Sequence, residues 1–379
     1  MSHLFPHISL LLLQLKLIYP NSGISVLHGV LVEMLPFGNI VDCDLERGVN
    51  MEQRQLGDSD IFTSAIGFGT WEMSTTMYGS IDIKEASDAV NAAIDHGITL
   101  FDTAEVYGPY HSEILLSKAL GDRRKDIVLV SKVGFDYDQE GKNIGRNSQY
   151  DHVITRAHGC LERLSTDYLD LLLIHWPDHD TSFEEPMLAL ERLKQDGKIR
   201  HYGVSNFTPE MMNECEKYGH LTTNQVGYHM FDRRMEAEVL PYCLGSNIGF
   251  MAYGTLGFGL LSGAFTPETK FGEGDWRSSG MAFRLPLFQP DEFAKELRVV
   301  ERLKEISARN DKSVAQMAIA WTLGHPAVSV GLVGVRNEWE LKENVAAVEW
   351  ELDAETREEI DFVFSDENVP THVNTDQAI

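Results

Sequence analysis

From Ile61 onward, short apolar runs alternate with stretches of helical periodicity, and that alternation predicts the fold. The strand-like runs centre on Ile66, Leu100, Leu129, Leu172, Tyr202, Asn224, Phe250 and Val330. Between the first two, Ala86, Ala89, Val90, Ala93 and Ile94 recur on one helix face, and Gly97 follows as a stop. Val153, Ile154, Ala157, Cys160, Leu161 and Leu164 repeat the pattern between the third and fourth runs. Eight strands joined by helices imply parallel pairing with right-handed crossovers, and closing them gives an α/β (β/α)8 TIM barrel. The alternative is a doubly wound sheet, which calls for a phosphate loop after its first strand. Gly67-Phe68-Gly69-Thr70 supplies only GxG, without the third glycine. The barrel is therefore the expected fold, with extra C-terminal helices. A hairpin from Met51–Gly57 and Asp60–Ala65 is expected to plug its bottom. The connection from about Gly254 to Pro290 exceeds the usual loop length of ~12–15 residues, and its Phe271, Trp276 and Arg277 suit a binding lid.

Three successive runs, ITLFDTAEVYG, IVLVSKV and LDLLLIHW, end in ionisable groups: Asp102 and Tyr107, then Lys132, then His175. Buried parallel strands are apolar throughout, so charge repeated at the same end predicts a shared polar site at one rim. A phenol ordinarily ionises near pH ~10, and a neighbouring ammonium favours the phenolate. Lys132 supplies that charge if Asp102 orients it by a salt bridge, so a lowered Tyr107 pKa is expected. His175 is placed to donate a hydrogen bond to a carbonyl oxygen. Together the four would polarise a carbonyl and hand it a proton. Singly, each has a plainer reading: Asp102 or Lys132 as half of a structural ion pair, His175 as a core histidine. Their occurrence together at one rim favours the site.

Composition narrows the partners. The chain has 379 residues and a formal net charge of −26, which disfavours nucleic acid and anionic membrane surfaces. Cys43, Cys160, Cys215 and Cys243 form no metal-binding spacing and suit a reduced, cytoplasmic protein. Ile8 to Tyr19 is apolar but too short to span a bilayer and is broken by Lys16. Residues 1–50 therefore read as an N-terminal extension, either an upstream-start artefact or a disordered segment. Residues 51–365 form the barrel, and residues 366–379 an acidic tail that is disordered or covers the pocket.

The segments FDTAEVYG, LVSKVG, LLLIHWPD, YGVSNF, NQVGYHM, AYGTLGFGLLSG and GVRNEWELKEN resemble, in order, the motifs of the aldo-keto reductases, closest to the bacterial-type oxidoreductase branch. The resemblance implies an NAD(P)H-dependent reductase of aldehydes or ketones, working reversibly. In it Tyr107 is the general acid/base, Asp102 and Lys132 tune it, and His175 orients the carbonyl. GFGTW places Thr70 and Trp71, with Asp102, beside the cofactor. Ser205, Asn206 and Gln225 match the positions that hold the nicotinamide carboxamide, and Tyr253 the ring that stacks on the nicotinamide. Gly254, Thr255, Leu256, Gly259 and Leu261 match the stretch around the pyrophosphate. Gly334, Arg336 and Asn344 match the adenosine end, where Arg336 suits a 2′-phosphate and favours NADP(H). Glu340 departs from the family's usual Gln: it would repel a phosphate and favour NAD(H), or simply pair with Arg336. Trp71, Met73, Tyr78, Trp176 and Trp276 would wall an apolar mouth for a small carbonyl or alcohol substrate. Potassium-channel beta subunits share these motifs, so a cofactor-sensing regulatory subunit is the second reading. Nothing in the sequence fixes the oligomeric state.

Overall fold

The structure, a computed structural model, describes residues 24–27, 30–33 and 51–372, apart from 75, 76, 79–81, 139 and 141. Ile24–Leu27 pairs antiparallel with Val30–Glu33 as a small unit of its own. The rest of residues 1–50, including Cys43, and the tail beyond 372 lie outside the described residues.

Eight parallel strands close into a barrel: β1 (Ile66–Gly69), β2 (Leu100–Asp102), β3 (Val128–Val133), β4 (Leu169–Ile174), β5 (Ile199–Ser205), β6 (Thr223–Gly227), β7 (Gly249–Tyr253) and β8 (Val328–Gly334). Each expected strand centre falls inside one of them. Closure through β8 and β1 pairs Gly334 with Gly69 and excludes the doubly wound sheet. The helices predicted from apolar spacing are Ile83–Asp95, which buries Ala86, Ala89, Val90 and Ala93, and Tyr150–Arg163, which buries Val153, Ala157, Cys160 and Leu161. Asp82 caps the former by accepting from the N–H groups of Lys84 and Glu85.

Two apolar layers follow from the two-residue period of a strand. Leu129, Val133, Leu172 and Ile174 face the helices. Leu100, Val128, Val130, Leu171, Leu173, Met251, Val330 and Leu332 fill the barrel interior. Leu56 and Ile61 join that inner layer, both essentially unexposed. They come from the turn of the hairpin Gln53–Gln55/Phe62–Ser64, which is the bottom plug the sequence called for. The plug fills that end of the barrel interior with apolar side chains. Two helices, Glu338–Val345 and Ala354–Asp366, follow β8. Beyond them the tail packs on the barrel as far as it is described: Val369 is buried, and Thr371 O accepts from the Arg233 N–H.

Candidate active site

Strand alternation selects which side chains meet at the rim. Leu100, Val130, Leu171 and Leu173, Met251, and Leu332 point into the barrel, so Asp102, Lys132, His175, Tyr253 and Gly334 continue the same inward rows. Gln225 is level with Met251 and Ser205 with Gln225, which adds both to the ring. The apolar interior therefore ends in a polar layer at the C-terminal ends of the strands.

Within that layer the ammonium of Lys132, fully buried, spends all three N–H bonds. It donates to Asp102 Oδ2 at 2.6 Å, to Thr103 O at 2.9 Å and to the Tyr107 hydroxyl oxygen at 3.0 Å. Asp102 is fixed in turn: its Oδ1 accepts from Gln225 Nε2 at 2.8 Å, and its carbonyl oxygen accepts from the N–H and hydroxyl of Thr70, both at 3.0 Å. The His175 ring stands edge-on to Tyr107 with centroids 5.8 Å apart, and its Nδ1 has no hydrogen-bond partner. The four ionisable groups picked from the sequence thus converge.

Their electrostatics differ from expectation in one respect. Burial pushes the Tyr107 phenol well above its ordinary value, and the Asp102 and Glu72 charges push the same way. The Lys132 charge alone would lower it, as expected from the sequence; burial wins, because the same enclosure that excludes water also penalises phenolate. Burial lowers Lys132, against the pull of Asp102. His175 is held well below the usual imidazole range by burial, with Lys132 and Arg146 adding to it. At neutral pH the rim therefore presents a phenolic O–H and a neutral imidazole N–H.

Behind the rim lies a buried network that sequence reasoning missed. Glu105 and Glu113 are unexposed. Arg156 Nε donates to Glu105 at 2.7 Å and its Nη2 to the Tyr110 hydroxyl at 2.8 Å, and Arg163 Nε donates to Glu113 at 2.5 Å. Ser131, next to Lys132, donates to the other oxygen of Glu113 at 2.6 Å. The two pairs clamp the loop carrying Tyr107 from one side and the end of β3 from the other. Arg156 and Arg163, seven apart on one helix, share a face, and Glu105 sits between Asp102 and Tyr107. Those spacings were the available signal.

The remaining site candidates fall into three groups. Tyr253 donates from its hydroxyl to Asn206 Oδ1 at 2.9 Å, and Asn206 Nδ2 donates to Ser205 Oγ at 3.0 Å and to the His175 carbonyl at 3.1 Å. Asn206 reaches across because its φ of 66° turns the chain sharply at the end of β5. A Cβ on Gly227 would stand 3.2 Å from the Tyr253 ring, so glycine lets that ring lie along the rim. Gly254, Thr255, Leu256, Gly259 and Leu261 follow Tyr253 directly, and the side chains of Thr255 and Leu261 are buried. Beyond β8, Arg336 is engaged by Glu340 and Asn344 is buried.

The long connection folds over the rim. Trp276 stacks on Trp71 at 5.3 Å, with Tyr78 edge-on to both, and the Trp276 backbone N–H donates to Met77 O at 3.1 Å. Phe283 lies parallel to Trp176 at 6.3 Å and 5.2 Å from Tyr253. A small cavity of about 50 Å³ opens there, lined among others by Trp176, Asn206, Arg234, Tyr253 and Phe283. Met73 departs from the expected mouth: it is buried in the core beneath Trp71. Phe258 and Phe283 could not be read from the sequence, since an irregular loop carries no period to assign them.

The sequence profile of the Aldo/keto reductase family matches residues 65–363, the whole barrel. The chain belongs to that family. Aldo-keto reductase YhdN of Bacillus subtilis is 35% identical over 316 residues, covering 83% of this chain and 93% of the relative. An NADH-specific methylglyoxal reductase of Escherichia coli is 30% identical over 79% of this chain and 94% of its own length. Among solved structures, the glycerol dehydrogenase AKR11B4 from Gluconobacter oxydans superposes with a TM-score of 0.77 at 31% identity, covering 86% of this chain and 98% of that one. This aldo-keto reductase chain is thus an oxidoreductase of the family. Among its described residues, no helix is long and apolar enough to cross a membrane.

Proposed function

We propose that this aldo-keto reductase reduces an aldehyde or ketone with a reduced nicotinamide dinucleotide, with Tyr107 as the general acid. The observation that carries this reading is the Lys132 ammonium held between Asp102 and the Tyr107 hydroxyl at 2.6 and 3.0 Å. Two amide side chains at the rim support a nicotinamide there: Asn206 accepts from the Tyr253 hydroxyl beside the aromatic cavity, and Gln225 donates to Asp102. When bound, the cofactor supplies the hydride.

The protein's own residues do the rest. The neutral imidazole of His175 donates to the carbonyl oxygen and makes its carbon more electrophilic. Tyr107 is protonated at neutral pH, as a general acid must be, and gives its proton to that oxygen as negative charge develops. Phenolate is costly in this buried place, so the ammonium 3.0 Å away stabilises the charge as it forms and not before. Asp102 keeps Lys132 charged and aimed. The lid aromatics exclude water from the exchange. In the reverse direction the same phenol accepts the proton from an alcohol.

Small aldehydes and ketones presented with reduced dinucleotide should consume it with matching alcohol formation. Purified protein that binds a dinucleotide yet turns over no member of such a panel would instead support a regulatory barrel.

A further inference from the structure

The loops after the seventh and eighth strands of a (β/α)8 barrel, with the helix that follows, commonly form its phosphate-binding corner. Here that corner is built with an excess of carboxylate. Arg336, just past β8, is its exposed cation, and Glu340 on the first turn of helix Glu338–Val345 claims it. Arg336 Nε and Nη2 donate to Glu340 Oε1 at 3.0 and 2.5 Å, and the Arg336 backbone N–H donates to Oε2 at 2.9 Å. Both carboxylate oxygens are thus committed. The helix end is already satisfied by Asn337, which accepts from the Glu340 N–H at 3.0 Å, so Glu340 is not needed as a cap.

A second carboxylate faces the same spot. Glu72, one turn past β1, lies against Gly334 at the end of β8; a Cβ on that glycine would fall within the Glu72 carboxylate. Glycine at 334 thus admits an acid where β1 and β8 meet. Arg277 of the lid also faces Glu72 but is itself paired with Asp275, so carboxyl groups still outnumber guanidinium groups here.

We propose that Glu340 and Glu72 set the cofactor choice of this site, neutralising Arg336 so that it takes a dinucleotide with a free ribose 2′-hydroxyl, NAD(H), in preference to one carrying a 2′-phosphate. This rests on the reductase reading, which puts the adenosine end of the cofactor at Gly334–Asn344. A 2′-phosphate brings a charge of about −1.5 to −2 at pH 7. It would have to break the Arg336–Glu340 pair and still face Glu72. A 2′-hydroxyl can instead donate to a carboxylate oxygen, the contact by which dinucleotide folds select NAD. The NADP(H) preference expected from Arg336 alone is therefore reversed by what that arginine touches.

Glu72 adds a pH dependence. The groups facing it are Glu340 and Arg336 from beyond β8, Arg277 from the lid, and Tyr78 and Tyr107 from the loops after β1 and β2. Burial pushes its carboxyl up to about 7, Glu340 adds to that, and the two arginines oppose it. An incoming pyrophosphate raises it further, so binding takes up a proton. Dinucleotide affinity should then be highest below pH ~7 and fall as the pH rises and Glu72 ionises.

Dissociation constants for NADH and NADPH, read from tryptophan quenching, test this in the wild type, Glu340→Gln and Glu72→Gln. The wild type should bind NADH about tenfold or more tightly than NADPH, the scale of one partly screened charge contact. Glu340→Gln should narrow that ratio, chiefly by tightening NADPH. Glu72→Gln should abolish the weakening of NADH binding between pH 6 and 8.5. Thermal melts confirm that each variant is folded. Tighter binding of NADPH by the wild type, or a ratio unmoved by Glu340→Gln, overturns the assignment while leaving the reductase reading intact. Failure of the folded wild type to bind either dinucleotide overturns both.

Discussion

Tyr107→Phe should lower kcat for carbonyl reduction by about 10²–10⁴-fold, the range of a lost general acid, with dinucleotide affinity unchanged. The substitution removes one oxygen and keeps the ring, so the stacking on Trp71 at 6.2 Å and the edge contact with His175 survive. Lys132 loses one of three acceptors and keeps Asp102 and Thr103. The loss should therefore appear in the chemical step, seen in single-turnover experiments with preformed binary complex. Because burial holds the phenol above its ordinary range, the wild-type reduction rate should not decline through Tyr107 ionisation anywhere between pH 6 and 9. Substantial residual reduction by the variant would mean that another group supplies the proton.

Lys132→Met should be costly twice over. It strands a carboxylate that is 3% exposed, and breaking a buried pair from one side costs about 3–5 kcal/mol. It also removes the charge that stabilises the forming phenolate, which should cost about 10²–10³-fold in kcat, as for other preorganised donors. The two losses separate in the double variant Asp102→Asn/Lys132→Met. With no charge left buried, stability should largely return, and the introduced side-chain amide keeps an oxygen to accept from Gln225. Activity should not return. Denaturant unfolding and kcat on the single and double variants form the cycle that measures both. Recovery of activity along with stability would reduce the ammonium to a structural role.

How much was legible in the sequence depended on whether a property was local. Strands buried on both faces are short continuous apolar runs, so all eight centres could be marked, and the site residues stood out because they interrupt those runs at one end. Strand parity then brings Asp102, Lys132, Gln225 and Tyr253 to the same interior without further information. Properties set by distant chain segments were not legible. The direction of the Tyr107 shift depends on enclosure by Trp71, His175 and the lid, which no single motif encodes. The charge around Arg336 includes Glu72, separated from it by most of the chain and brought near because β1 and β8 close the barrel. Met73 shows the converse error: it lies within a site-like segment, yet its side chain is buried in the core.

The central claim is that Tyr107, Lys132, Asp102 and His175 converge on the reacting carbon of a bound nicotinamide. A crystal structure of the complex with oxidised dinucleotide tests it most directly. The ring is expected against Tyr253, its carboxamide at Asn206 and its reacting carbon facing the Tyr107 hydroxyl across the cavity. A dinucleotide bound with its nicotinamide outside the rim, or with the ring turned away from Tyr107, would contradict it.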